Sequence, residues 1–200
     1  GLGGGLATDG TSLFVADTGN FAIRRVNLST MQVTTLAGVT EGSVDGIGDQ
    51  ARFLAPAGLT YHDGAVYVVD LFGGTLRRIH VATREVTTLA GRPDATEVAD
   101  GSFAQATFQF PFRVLADGLG NLFVSELGGS DGINNGLVRH VDLAGERVRT
   151  LVGTPGVVGF VEGPLPGSLN CPGGLALDAS GDLLFNDVCG GAIAALRPQL

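Results

Sequence analysis

Leu13-Phe-Val-Ala-Asp17, Val66-Tyr-Val-Val-Asp70 and Leu122-Phe-Val-Ser-Glu126 are three versions of one phrase, an aliphatic-aromatic run closed by a carboxylate. Leu183-Leu-Phe-Asn-Asp187 is a fourth. The closing carboxylates lie 53, 56 and 61 positions apart (70−17, 126−70, 187−126). Self-similarity at such a period marks a repeat architecture, and it has to be found before any element is assigned. Two further landmarks keep the same order along the chain. One is Val33-Thr-Thr-Leu-Ala-Gly38, Val86-Thr-Thr-Leu-Ala-Gly91 and Val148-Arg-Thr-Leu-Val-Gly153. The other is small-x-apolar-x-x-Pro: Ala51, Phe53, Pro56; then Ala106, Phe108, Pro111; then Gly167, Leu169, Pro172. Three independent landmarks in one order do not arise by chance.

Each unit reads as four short antiparallel strands. The first, such as Gly58-Leu-Thr-Tyr61, precedes a turn at Asp63-Gly64; the corresponding turns are Asp9-Gly10, Asp117–Asn121 and Asp178–Asp182. Gly tolerates φ > 0, and Asp caps its own backbone, so these are turns with a mechanism. The carboxylate-ended run is the second strand. Ile23–Val26, Leu76–Ile79 and Leu137–Val141 form the third. The Val-Thr-Thr-Leu segments form the fourth, their β-branched residues suiting a pleated surface. The chain is therefore expected to be all-β: propeller blades of four strands, three complete and the fourth partial, over units near 3–38, 57–91, 112–153 and 173–200. The fourth unit reads only as far as a third strand. Its expected partners are the remaining blades of a parent chain, or a second copy by self-association.

Composition agrees with a folded β protein. Among 200 residues, 44% are hydrophobic, 16% are charged and 33 are glycine, which excludes the charge-rich, apolar-poor pattern of disorder. No apolar run is long enough for a membrane-spanning helix. The opening Gly1–Gly10 has no initiator Met, basic segment or apolar stretch, so a mature chain or internal fragment is expected. The net charge is −8 and every one of the 12 basic residues is Arg. That balance repels a phosphate backbone and argues against nucleic acid as partner.

The combination x-Pro-x-Gly-Leu, Asp-x-x-Gly-Asn, aromatic-Val-Ala-Asp, Ile-Arg-Arg-Val and Val-Thr-Thr-Leu-Ala-Gly resembles the NHL repeat. The likeness runs from about residue 6 to 200 and is strongest in the first two units. Glu126 for Asp, a longer turn at Gly128–Gly136, and Ala194-Ala195 for the Arg pair are its departures. The resemblance implies a propeller, commonly six-bladed, used widely for binding and sometimes for lyase or hydrolase chemistry.

Several residues could carry function. Asp17, Asp70, Glu126 and Asp187 could ring one face and take a cation or polar ligand; equally, each could accept N–H groups of the following turn and face a third-strand Arg. His62, His80 and His140 map away from the central axis, where the resemblance would place lyase machinery. Neither a nucleophile elbow nor a His-Glu-x-x-His stretch occurs, so no catalytic residue is assigned. After the landmark Pro, Gly58 and Gly174 have Phe112-Arg113 as their counterpart. Arg113 is expected to face the central opening and could hold a carboxylate or sulfate, or pair with Asp100 or Glu162. Asn186, in place of Ala16 and Val69, is a second ligand candidate. Asp131, Asn134 and Asn135 offer oxygen ligands for Ca²⁺, without EF-hand spacing, in what reads equally as a plain surface loop. No other cofactor is implied.

Cys171 and Cys189 flank the hairpin turn Asp178–Asp182. Residues paired across it should sum to 360, as these two do, so a disulfide is geometrically available. Such a bond points to a secreted, periplasmic or cell-surface protein. The leading functional expectation is a non-catalytic scaffold binding a protein, peptide or glycan on its linker-side face. The alternative is a lyase or hydrolase completed by further blades.

Overall fold

The computed structural model describes residues 4–127, 136–157, 159 and 167–198. The first blade is a four-stranded antiparallel sheet of β1 (Leu6–Thr8), β2 (Ser12–Asp17), β3 (Ala22–Asn27) and β4 (Val33–Ala37). The linker contributes β5 (Gly46–Ile47), and β6 (Pro56–His62), β7 (Ala65–Asp70), β8 (Thr75–His80) and β9 (Glu85–Gly91) build the second blade. The third repeats the plan: β10 (Gly101–Ser102), β11 (Pro111–Ala116), β12 (Asn121–Glu126), β13 (Leu137–Asp142) and β14 (Arg147–Val152). The fourth holds β15 (Pro172–Leu177), β16 (Leu183–Asp187) and β17 (Ala192–Leu196).

Local chemistry explains the elements. Asp63 and Gly64 both take positive φ (43° and 75°), giving a two-residue turn that matches the twist of β6 and β7. Asp117 accepts the Leu119 and Asn121 amides at 2.7 and 3.0 Å, closing the third blade's equivalent turn. Pro56, Pro111 and Pro172 each begin an innermost strand, an edge position where a missing N–H costs no ladder bond.

The core lies between blades. Phe14, Ile23 and Leu36 of the first meet Leu59, Val68 and Ile79 of the second, with Phe53 of the linker wedged between. Tyr67 and Leu76 likewise meet Val114, Leu122 and Val141 around Phe108. Phe123 and Val138 meet Phe185 around Leu169. The apolar residue of the third landmark is thus the linker's plug. Burying each such side chain contributes about 1.5–3 kcal/mol.

Two blades carry a strand more than the expected four. β5 and β10 pair antiparallel with the outermost strands β9 and β14. They cover outer edges that would otherwise expose unpaired amides. The device that holds them is a buried arginine. Arg77 donates to the Val44 carbonyl (2.9 Å), the Arg52 carbonyl (3.2 Å) and Asp45 (2.7 Å), with its guanidinium over the Phe53 ring at 5.0 Å. Arg139 repeats this with the Ala99 carbonyl (2.9 Å), the Thr107 carbonyl (3.1 Å) and Asp100 (2.8 Å), over Phe108 at 5.3 Å. Asp45 and Asp100 then accept the backbone and hydroxyl protons of Thr88 and Thr150. The second Thr of the Val-Thr-Thr-Leu landmark is therefore a linker anchor. A β-bulge stands beside each clamp, between Leu76 and Arg77 and between Val138 and Arg139. In the fourth blade Ala194 takes the arginine's place.

The 360 sum holds where expected: Leu175 pairs with Phe185 and Leu177 with Leu183. A bulge then shifts the register so that Pro172 faces Asp187. The Cys171–Cys189 disulfide still forms, with a Cα separation of 5.4 Å.

The first blade leaves one face bare. Leu6 and Val33 are 62% and 60% exposed, whereas Leu59 and Val86, their counterparts in the second blade, are 5% and 1% exposed. No helix among the described residues is long and apolar enough to cross a membrane.

Candidate ligand-binding face

The ends of the second strands, the turns after them and the linkers entering the innermost strands meet on one face. Its carboxylates are latches. Asp70 is fully buried and accepts the amides of Leu54 (2.8 Å), Ala55 (2.6 Å) and Gly73 (3.3 Å). Asp187 does the same for Asn170 (2.7 Å), Cys171 (3.1 Å) and Gly190 (2.9 Å). Glu126 has one more methylene, and its two oxygens divide between the Gln109 amide and Arg139. Burial pushes the Asp70 and Glu126 carboxyls above the usual carboxylate range, against the opposing pull of these donors. Asp17 pairs with the third-strand Arg24 at 2.8 Å. Asp70, Glu126 and Asp187 thus hold backbone amides, whereas Asp17 accepts from the side chains of Arg24 and Asn20.

The innermost strands of all four blades line a central cavity of about 460 Å³. Arg113 stands in its wall with Thr8, Tyr61 and Leu175. The guanidinium donates to the Phe112 carbonyl (3.1 Å) and lies 3.8 Å from the Phe112 ring centroid. That is cation–π distance, and desolvation there lowers the Arg113 pKa. Phe112 in turn packs with Phe110, Leu71 and Leu127. Gly5, Gly58 and Gly174 stand with it at the innermost-strand starts, so the third blade alone puts a long side chain there. Asp100, one of the two linker carboxylates weighed for Arg113, is held by Arg139 and Thr150. Glu162, the other, lies outside the described residues, as do Asp131, Asn134 and Asn135. Asn186 is half-buried, and its Oδ1 accepts the Gly174 amide at 2.5 Å, stiffening the start of β15.

His62 and His80 end β6 and β8, away from the cavity. His140 is buried within β13, where Arg149 donates to its Nδ1 (3.2 Å) and its Nε2 lies 2.8 Å from Asn121 Oδ1. Nδ1 is then an acceptor, which fixes the neutral Nε2–H tautomer. Desolvation, with the neighbouring Arg149 charge, lowers its pKa. Among the described residues no group of three or more His, Cys, Asp or Glu could hold a metal. The clamp role of Asp45 and Asp100 escaped the sequence reading. Their signal was a constant spacing, each followed by Gly and each six positions ahead of the landmark Ala (51−45, 106−100).

No family model matches the chain. A bovine protein, NHL repeat-containing protein 2, is 33% identical over 118 residues, which is 53% of this chain and 16% of that protein. The chain is an NHL-repeat β-propeller. It spans 16% of the length of that relative and 46% of a solved Bacteroides thetaiotaomicron protein of unknown function. Over 95% of the NHL-repeat chain the latter is 25% identical, with a TM-score of 0.76. Virginiamycin B lyase from Staphylococcus aureus shares the fold across 98% of the NHL-repeat chain and 55% of its own, at 14% identity and a TM-score of 0.59.

Proposed function

We propose that this NHL-repeat propeller is a non-catalytic recognition scaffold whose linker-side face binds a protein, peptide or glycan. The observation that carries this is Phe112-Arg113. Three blades carry glycine at the Arg113 position, and the third alone sets a cation on an aromatic ring in the wall of the shared cavity. A residue that departs from a structural repeat and faces an opening serves something other than the repeat. Rigid blades supply preorganisation, and stacking on Phe112 fixes the plane of the Arg113 guanidinium in the cavity wall.

The experiment is a peptide and glycan array probed with the complete protein and its Arg113→Ala variant. A ligand held by the wild type and bound roughly tenfold more weakly by the variant is the expected result. A stoichiometric divalent metal whose removal abolishes an activity would replace the scaffold with a propeller lyase or hydrolase.

The same proposal extends to location. Disulfides persist in oxidising compartments, so Cys171–Cys189 supports a secreted, periplasmic or surface-exposed protein. Two alkylated cysteines on freshly isolated, unreduced protein would overturn that placement.

A further inference from the structure

A second cavity of about 570 Å³ opens on the same face between the second and third blades. Its apolar wall breaks the blade plan. Phe110 occupies the position before the landmark Pro, where the second and fourth blades bury Ala55 (3% exposed) and Cys171 (4% exposed). Phe110 instead takes φ 49°, a left-handed conformation unfavourable for a bulky residue and disfavoured again by the following Pro111. Strain of this kind persists where the surroundings enforce it, and it gathers at ligand sites. Phe110 meets Phe72 edge-on, with centroids 6.4 Å apart at 88°. Phe72 is 59% exposed and is thereby fixed as a flat apolar platform.

The opposite wall is polar. Arg92 and Asp94, from the linker after β9, line it with Gln109. The Gln109 amide nitrogen donates to the Thr96 carbonyl at 2.6 Å, which leaves its oxygen as an acceptor. One guanidinium and one carboxylate give this rim no net charge, in a chain of net charge −8. An anion therefore gains nothing overall, and an uncharged ligand fits best. That ligand needs one flat apolar face for Phe72 and an edge of adjacent hydroxyls that both donate and accept. The volume is that of an ordinary small-ligand site.

We propose that this cleft binds a neutral pyranose of a glycan, its C–H face on Phe72 and its hydroxyls on Asp94, Arg92 and Gln109. The proposal rests on the scaffold reading and sharpens it to a ligand class and a second place on the face.

The test is titration of the complete protein with a broad panel of neutral di- and trisaccharides, followed by saturation-transfer NMR. Phe72→Ala, Asp94→Asn, the central-cavity variant Arg113→Ala and, as a control on the exposed turn of the first blade, Met31→Ala are run alongside. Phe72 and Asp94 are exposed, so their substitution leaves the blades folded, which the melting temperature checks. Binding that Phe72→Ala weakens roughly tenfold and Asp94→Asn roughly fivefold, with Met31→Ala unchanged, supports the cleft. Saccharide binding lost with Arg113→Ala but not with Phe72→Ala overturns the cleft and leaves the scaffold reading standing. No saccharide bound at about 10 mM, or a peptide retained through Phe72 instead, overturns the assignment of the ligand class.

Discussion

Gly58 packs directly against the backbone of Arg113: a Cβ on Gly58 would lie 2.6 Å from the Arg113 Cα and 2.7 Å from the Phe112 carbonyl oxygen. The innermost strands of adjacent blades converge there, and β6 reaches β11 only because one of them lacks a side-chain carbon. Gly58 is thus the complement of Arg113 as well as its counterpart. The glycine lets the third blade approach closely enough for its arginine to enter the shared cavity.

Gly58→Ala should therefore destabilise the protein by about 1–3 kcal/mol, as overpacking does. Gly174→Ala is the control. Its Cβ would meet only the Asn186 Oδ1, at 3.4 Å, and the change should stay within about 0.5 kcal/mol. Thermal unfolding of the two variants measures the difference.

The two clamp arginines should respond unequally to truncation. Arg139→Ala strands Glu126, whose side chain is fully buried, without its counter-charge. Leaving one member of a buried pair costs about 3–5 kcal/mol. Arg77→Ala leaves Asp45, whose side chain is 48% exposed and can be rehydrated. Its cost should be smaller, about 1–3 kcal/mol from lost hydrogen bonds. Adding Glu126→Gln to Arg139→Ala should recover part of the loss. Urea unfolding midpoints would give the order, and equal costs for the two arginines would remove this account.

His140 ties stability to pH. Its folded pKa lies below the ordinary histidine value, since desolvation and Arg149 both disfavour the charged ring. Its contribution is present above the unfolded pKa of about 6.5 and is lost as pH falls through the folded value. Asp70 and Glu126, raised by burial, act in the opposite sense: their contribution is present below the ordinary carboxylate values and is lost as pH rises. The wild-type curve sums these effects, so the comparison with a variant isolates the histidine. The melting temperature at pH 7.5 minus that at pH 5 should be smaller in His140→Gln than in the wild type.

The bare face of the first blade should make residues 1–200 self-associate on their own. Leu6 and Val33 are 62% and 60% exposed at positions the second blade buries completely, a patch that seeks cover. Light scattering should show a mass above the monomer that rises with concentration, and Val33→Glu should lower it. A concentration-independent monomer would mean that this face is stable in water.

The sequence by itself determined everything that depends on neighbours along the chain. The recurring aliphatic-aromatic runs placed the second strands, and Asp-Gly pairs placed the turns. A hairpin sum located the Cys171–Cys189 bond, because register in a tight hairpin is fixed by its turn. The repeat then supplied the architecture, and equivalence between units singled out Phe112-Arg113. What only the tertiary structure decided joins residues from different blades or linkers. Arg139 reaches Asp100 across 39 positions, and Arg77 reaches Asp45 across 32. The sequence analysis offered Arg113 either the opening or a linker carboxylate; the fold lines the cavity with Arg113 and spends Asp100, one of the two carboxylates, on Arg139. Phe72 and Phe110 carried no signal at all, since one lies within a turn and the other precedes a proline on the next blade. Strand period and turn chemistry are local and repeat with the chain, whereas a contact between blades depends on bulges and on missing Cβ atoms that set how closely two sheets approach.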